Sequence, residues 1–281
     1  VPAVREALEM AKLEPKEIDQ IIVATATPDY FFPSTAICLQ KEIGATGAAY
    51  DLAAACAGSI YILANAYAWH QAGMAENSVV VGAETLSKIV NWKNRDTAVL
   101  FGDGAGAVVI QNIENPGIAE FVCGAYYSDS LILPAGGSRR PTSLETIEQE
   151  LHFIKMDGLK VFEEAVRGMR AAAEAVLKKA GLTNANGEVD IGKVNLVIPH
   201  QANIRIMNAV WGKLNVPEEK RFANIERYGN TSAASIYIAM YEAFKEGKLQ
   251  KDDLLLLVAF GAGFTYAAAV LQWHLESPRK K

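Results

Sequence analysis

The sequence is poor in cysteine: only Cys38, Cys56 and Cys123 occur among 281 residues. Their odd number and the absence of metal-ligand spacing exclude a disulfide framework and a thiolate metal knot, and suit a reducing compartment. Long hydrophobic runs are also missing. No stretch reaches the roughly 20 apolar residues of a bilayer span, and the first residues are not a signal peptide, so a cytoplasmic protein without membrane contact is expected. An excess of positive charge is likewise absent. At a net charge of -5 the chain has no global basic field, so nucleic acid is not expected as a partner, although an acidic protein can still meet a local basic patch. What is present is a globular composition, with 51% hydrophobic residues and enough length for one large or two smaller domains.

The hydrophobic pattern predicts alternating helices and buried strands. Pro2–Lys12 reads as an amphipathic helix, Ile18–Ala26 as a strand, Ser34–Ile43 as a helix capped by Ser34, and Ala48–Leu52 as a short strand. Ser59–Gly73 is a helix apolar almost all round, the mark of an element inside a large core. A strand follows at Ser78–Val81, then a pair of strands, Ala98–Phe101 and Ala107–Ile110, around a glycine turn at 102–106. Residues 115–157 are rich in Pro, Gly and Ser and read as connector. Leu159–Lys179 is a long helix closed by Gly181, Val194–Ile198 a buried strand, Ile204–Lys213 a helix, and Leu254–Val258 an apolar strand ahead of a final one.

Set side by side, residues 1–157 and 158–281 repeat one order of elements, which predicts an α/β fold of two duplicated halves about a pseudo-twofold axis. Pairing Ile22 with Val197 and Val80 with Leu255 gives an offset of 175. That offset places Cys56 one residue from Asn230, each at the start of its half's buried helix, and His200 at the carboxyl end of a core strand, where ligand sites of parallel sheets gather. Ile154–Asp157 has no counterpart before Val1, which suggests a missing N-terminal strand. Taken alone, Cys56 reads as a small buried hydrophobe, His200 as a satisfied core histidine, and Asn230 as a turn residue. Brought together they suggest nucleophilic catalysis, with the helix end expected to favour a Cys56 thiolate.

Five stretches then resemble one family: Asp51 to Gly58 (DLAAACAG), Phe101 to Ala107 (FGDGAGA), Pro199 to Arg205 (PHQANIR), Arg227 to Ser235 (RYGNTSAAS) and Phe260 to Phe264 (FGAGF). In this order they are similar to β-ketoacyl-acyl-carrier-protein synthase III, a thiolase-fold condensing enzyme that starts fatty-acid synthesis. The resemblance implies a thiolase-like fold layered α-β-α-β-α and a catalytic triad of Cys56, His200 and Asn230. It implies decarboxylating condensation of a short acyl-coenzyme A with malonyl-acyl-carrier-protein, without metal or redox cofactor.

By the same likeness the backbone N–H groups of Cys56 and Ala262 hold the oxyanion, and Asn203 and Phe260 support the site. Arg139 and Arg140 meet coenzyme A phosphates, Arg205 and Lys213 receive the acidic carrier protein, and Phe32 closes the acyl pocket across a homodimer. The family's leading strand and loop, which grip the coenzyme A nucleotide, are absent from the given sequence. A cysteine hydrolase, a non-catalytic acyl-binding protein, and a polyketide or signal-molecule synthase stand as alternatives.

Overall fold

The computed structural model describes residues 1–276. In the first half, α1 (Pro2–Ala11) turns Val4 and Leu8, one turn apart, toward the core. β1 (Gln20–Ala24) is buried at every residue, as a central strand covered on both faces must be. α2 (Thr35–Ile43) opens on Ser34, whose hydroxyl accepts from the Ile37 N–H at 3.3 Å, and closes on Gly44 in the left-handed region. β2 (Ala48–Leu52), α3 (Gly58–Gln71), β3 (Asn77–Glu84), α4 (Arg95–Ala98) and β4 (Gly104–Gln111) follow. The sheet order is β2-β1-β3-β4, parallel except for β4.

The chain continues through β5 (Ala119–Ala125), β6 (Leu131–Ile132), α5 (Leu144–Glu148), β7 (Lys155–Met156) and α6 (Gly158–Lys179). It ends with β8 (Leu196–Pro199), α7 (Ile204–Lys213), α8 (Ile225–Tyr228), α9 (Ser235–Lys245), β9 (Leu254–Gly261) and β10 (Thr265–Gln272). The second sheet has the order β5-β10-β9-β8, with only β8 and β9 parallel.

The period of two along each strand sorts side chains into layers. Ile21 and Val23 of β1 face outward onto α1 and α2, while Ile22 and Ala24 face inward onto α3. In β9, Leu255 and Leu257 turn to the central helices α3 and α9, and Leu256 and Val258 turn to α6 and α7. The result is five layers, α-β-α-β-α, with α3 and α9 buried between the sheets. No helix among the described residues is long and apolar enough to cross a membrane.

Three expectations change. Residues 115–157 are not merely connector, because β5 pairs with β10 along its whole length and forms the edge of the second sheet. That strand lies before the expected division at 157. Ala98–Phe101 is not a strand either: α4 ends at Ala98, and Phe101 makes only an isolated bridge to Asn230. Gly104 and Gly106, which follow, lie in β4 rather than in a turn. They are needed because α9 crosses them: a Cβ on Gly106 would sit 2.6 Å from the Tyr237 Cβ, and one on Gly104 3.0 Å from the Ile238 Cδ1. Gly106→Ala is therefore expected to lower the urea midpoint, costing about 1–3 kcal/mol by overpacking. An unchanged midpoint would contradict this contact.

The third change concerns the repeat. Ile22 lies opposite Val80, but Val197 lies opposite Leu256 rather than Leu255. At the helix starts the match is clearer still, because the tight turns Ala55–Ala57 and Ser232–Ala234 each open on a residue in the left-handed region, Ala55 (φ 46) and Ser232 (φ 49). Those two residues are 177 apart, so the counterpart of Cys56 is Ala233, and Asn230 lies three residues ahead of it. The edges also differ. β10 is flanked by β5, whereas β4 is an edge strand among the described residues.

Candidate active site

Cys56 occupies the turn immediately before α3 and is held from three sides. Gly58 starts the helix so close to β1 that a Cβ there would lie 2.9 Å from the Ala24 Cβ. At the end of β9, a Cβ on Gly261 would lie 2.7 Å from the Cys56 nitrogen, so only glycine lets that strand reach the turn. The Thr265 hydroxyl donates to the Ala54 carbonyl at 2.9 Å, fixing the residues ahead of the cysteine.

His200 follows β8 directly and is 1% exposed. Its Nδ1 lies 2.7 Å from the Ser235 Oγ at the start of α9. That hydroxyl accepts from the Gln201 N–H and has a proton of its own to donate to Nδ1; in that arrangement the ring proton sits on Nε2. Asn230 is anchored through its backbone: its N–H donates to the Leu100 carbonyl and its carbonyl accepts from the Gly102 N–H. Its Oδ1 accepts from the Ser232 N–H at 2.8 Å, which leaves the Nδ2 donors free.

The three residues line one cavity of about 450 Å³. Its apolar wall comes largely from α6, through Leu159, Phe162, Ala165 and Met169. The cavity therefore offers a buried sulfur, two N–H donors and an apolar sleeve.

Burial sets the protonation states. It pushes the Cys56 thiol up to about 12, against the Ser232 hydroxyl and the residue's own N–H, which pull it down. The expectation of a resting thiolate is thus corrected. The rise from the ordinary 9.0 corresponds to about 4 kcal/mol, whereas a helix end contributes up to about 2 kcal/mol. Burial also holds His200 down to about 3, so the ring is a neutral donor at physiological pH.

The other expected site residues divide. Phe260, Asn203 and Arg205 line the same cavity. Asn203 also caps α7, its Oδ1 accepting from the Arg205 N–H at 2.8 Å. Ala262 sits one residue beyond Gly261, which lines the cavity. Lys213 lies at the far end of α7, about 12 Å along its axis from Arg205. Arg139 and Arg140 are exposed on a turn closed by the Gly136 N–H donating to the Arg140 carbonyl. Phe32 is 88% exposed beside Phe31 at 83%, and neither it nor the two arginines lines the cavity.

Sequence reading passed over Ser232 and Ser235, although both stand in the quoted stretch RYGNTSAAS. It also passed over Glu84, a carboxylate that ends β3 after the run Val79–Ala83 and is only 4% exposed.

Two family models match the chain, 3-oxoacyl-[acyl-carrier-protein] synthase III over residues 50–126 and its C-terminal counterpart over 177–273. Among curated relatives, the β-ketoacyl-[acyl-carrier-protein] synthase III of Caldanaerobacter subterraneus is 48% identical over 275 residues, spanning 96% of this chain and 81% of the relative. The corresponding protein of Clostridioides difficile is 45% identical, with 97% and 82% covered. The crystal structure of the Aquifex aeolicus synthase III superposes with a TM-score of 0.85 at 45% identity, covering 96% of this chain and 82% of that one. A priming β-ketosynthase of the R1128 polyketide pathway also gives 0.85, at 32% identity, with 98% and 80% covered. By sequence, architecture and both family models, the chain belongs to the 3-oxoacyl-[acyl-carrier-protein] synthase III family.

Proposed function

We propose that this chain condenses a short acyl-coenzyme A with malonyl-acyl-carrier-protein, giving a β-ketoacyl-acyl-carrier-protein and starting fatty-acid synthesis. The observation that carries the reading is the meeting of the Cys56 sulfur, the His200 Nε2–H and the free Asn230 amide in one apolar-walled cavity. Cys56, once deprotonated, attacks the acyl thioester, and coenzyme A leaves. Malonyl-acyl-carrier-protein then loses carbon dioxide. The charge developing on its thioester oxygen meets the two donors of His200 and Asn230, already oriented and shielded from water. The carbanion attacks the acyl-cysteine, the Cys56 and Ala262 N–H groups hold the tetrahedral oxyanion, and collapse releases the product from sulfur. None of these steps calls for a metal or redox cofactor.

The approach of the partners follows from charge and exposure. Arg205 is exposed at the cavity rim, and with Lys213 it presents a basic face of α7 to the acidic carrier protein. Arg139 and Arg140 receive the coenzyme A phosphates. Phe31 and Phe32 form an exposed apolar patch that a second copy covers in a homodimer, with Phe32 reaching the partner's acyl pocket. The polyketide-priming reading has the support of one relative at 32% identity, and the fatty-acid reading that of relatives at 44–48%.

Intact-protein mass spectrometry after mixing with acetyl-coenzyme A is expected to show one added acetyl group, mapped to the Cys56 peptide. Malonyl-acyl-carrier-protein then converts it to a ketoacyl product. No acetyl mass on that peptide would sink the proposal, and release of free acetate in place of the ketoacyl product would make the protein a hydrolase.

A further inference from the structure

The oxyanion invoked above needs two backbone donors that stand in separate halves of the chain, and a single hydroxyl reaches the backbone beside both. Cys56 sits in a turn whose entry is strained: Ala55 takes φ 46, a left-handed conformation that alanine leaves unless its surroundings hold it. The plane of the Ala54–Ala55 peptide sets that angle, and the carbonyl oxygen of this peptide accepts from the Thr265 hydroxyl at 2.9 Å. Thr265 opens β10 and lies directly opposite Gly261, the last residue of β9. Its hydroxyl is also 3.4 Å from the Ala262 carbonyl. The approach is close on every side, since a Cβ on Gly261 would lie 2.7 Å from the Cys56 nitrogen, 2.9 Å from the Ala57 nitrogen and 2.9 Å from the Thr265 Oγ1. Farther along the hairpin, the Gly263 and Phe264 carbonyls accept from the Ser128 and Tyr126 N–H groups at 2.7 and 2.9 Å. The Ala262 N–H itself has no hydrogen bond among the described residues, which leaves it open to a ligand.

We propose that Thr265 is the positioning residue of the oxyanion site, its hydroxyl setting the distance between the Cys56 and Ala262 N–H groups. The inference rests on the synthase reading, which supplies the oxyanion. A threonine hydroxyl has one proton. Given to the Ala54 carbonyl, it fixes the peptide plane ahead of Ala55 and with it the direction of the Cys56 N–H. The same oxygen hangs from β10 opposite Gly261, so the Ala262 N–H keeps its place relative to the turn. Two donors stabilise one oxygen only when both lie about 2.7–3.1 Å from the point where its charge develops, and a displacement of about 1 Å costs on the order of a hundredfold in rate. This oxyanion forms twice in the proposed reaction, when Cys56 attacks the acyl thioester and when the carbanion attacks the acyl-cysteine. Decarboxylation places no charge there. Its enolate oxygen meets His200 and Asn230, which are held by Ser235 and by the backbone at Leu100 and Gly102. Thr265 therefore governs the two attacks and not the loss of carbon dioxide.

Thr265→Val keeps the shape of the side chain and removes its proton donor. Acetyl transfer from acetyl-coenzyme A to Cys56, followed by intact-protein mass spectrometry, is expected to slow about tenfold to a hundredfold at saturating substrate. The acetyl-coenzyme A concentration for half-maximal rate stays within about twofold, because the loss falls on the transition state. Condensation by preacylated protein slows by a similar factor. Carbon dioxide release from malonyl-acyl-carrier-protein, measured in Cys56→Ala so that no acyl-enzyme forms, stays within about twofold when Thr265→Val is added. Thr265→Ser, which keeps the hydroxyl, restores acetyl transfer to within about threefold of the parent. A fall in carbon dioxide release matching that in acetyl transfer would overturn the proposal, since a merely structural change spreads to the His200 and Asn230 donors as well. Unchanged acetyl transfer in Thr265→Val, or no recovery in Thr265→Ser, would do the same. Should Thr265→Val fail to fold, Thr265→Ser and Thr265→Ala, which differ only in the hydroxyl, give the same comparison. A parent that takes up no acetyl group overturns the synthase reading and this proposal with it, whereas a failure confined to the variants overturns this proposal alone.

Discussion

Cys56→Ala is expected to take up no acetyl group from acetyl-coenzyme A and to lower condensation to about 10⁻⁴ of the parent rate or less, the scale seen when the nucleophile of an acyl-transfer enzyme is removed. The substitution deletes one buried sulfur beside Ala54 and Ala57 and leaves the turn and α3 in place. The donors of His200 and Asn230 are untouched, since they are held by Ser235 and by the backbone at Leu100 and Gly102. Malonyl-acyl-carrier-protein should therefore still lose carbon dioxide in this variant, releasing acetyl-acyl-carrier-protein without a ketoacyl product. Carbon dioxide release and product formation, measured together, test this separation. Condensation persisting in Cys56→Ala would remove Cys56 from the reaction.

His200→Ala is expected to divide the reaction the other way. Acetyl transfer to Cys56 continues within about threefold, because the neutral ring is not its base, while condensation falls by about 10²–10³, the loss typical of one oriented oxyanion donor. Equal loss of both steps would contradict this division. The pH dependence carries the same information. Because burial holds the ring at about 3, the donor stays neutral through the range where an exposed histidine titrates. Condensation by preacylated protein should then show no acid limb near pH 6.5 that His200→Ala abolishes. The presence of such a limb would mean that the ring is charged in the working enzyme, and that burial does not govern it.

Much of this architecture can be read from the residues because its signals are local. The Ser34 cap, Gly181 after α6 and the continuous apolar runs of β1, β3 and β9 each predict their element from neighbours within a few positions. Cys56, His200 and Asn230 stood out for a similar reason, each falling in a distinctive short stretch. What could not be read depends on contacts distant in the chain. β5 is only partly buried, with a glycine near its end, and it is a strand because β10 lies beside it from Thr265 to Leu271. The glycines of β4 resemble a turn until α9 is laid across them. The protonation of Cys56 depends on how completely two halves close over it, which no local pattern states. The repeat was visible as an order of elements, but its offset drifts by a residue or two because the connections differ in length. A match of Cys56 to Ala233 rather than to the neighbourhood of Asn230 is therefore a structural result.

The threads that fix the Cys56 turn come almost wholly from the far end of the chain. Gly261 lies against its nitrogen, Thr265 donates to Ala54 across 211 residues, and the Tyr237 hydroxyl donates to the Ser59 carbonyl across 178. A ribosome makes these partners well after Cys56 itself. Until they are made and docked, the turn lacks the contacts that hold the cysteine beside His200 and Asn230 in the cavity. The site is thus a property of both halves of the chain, and a product cut short before β9 retains the cysteine without the constellation around it.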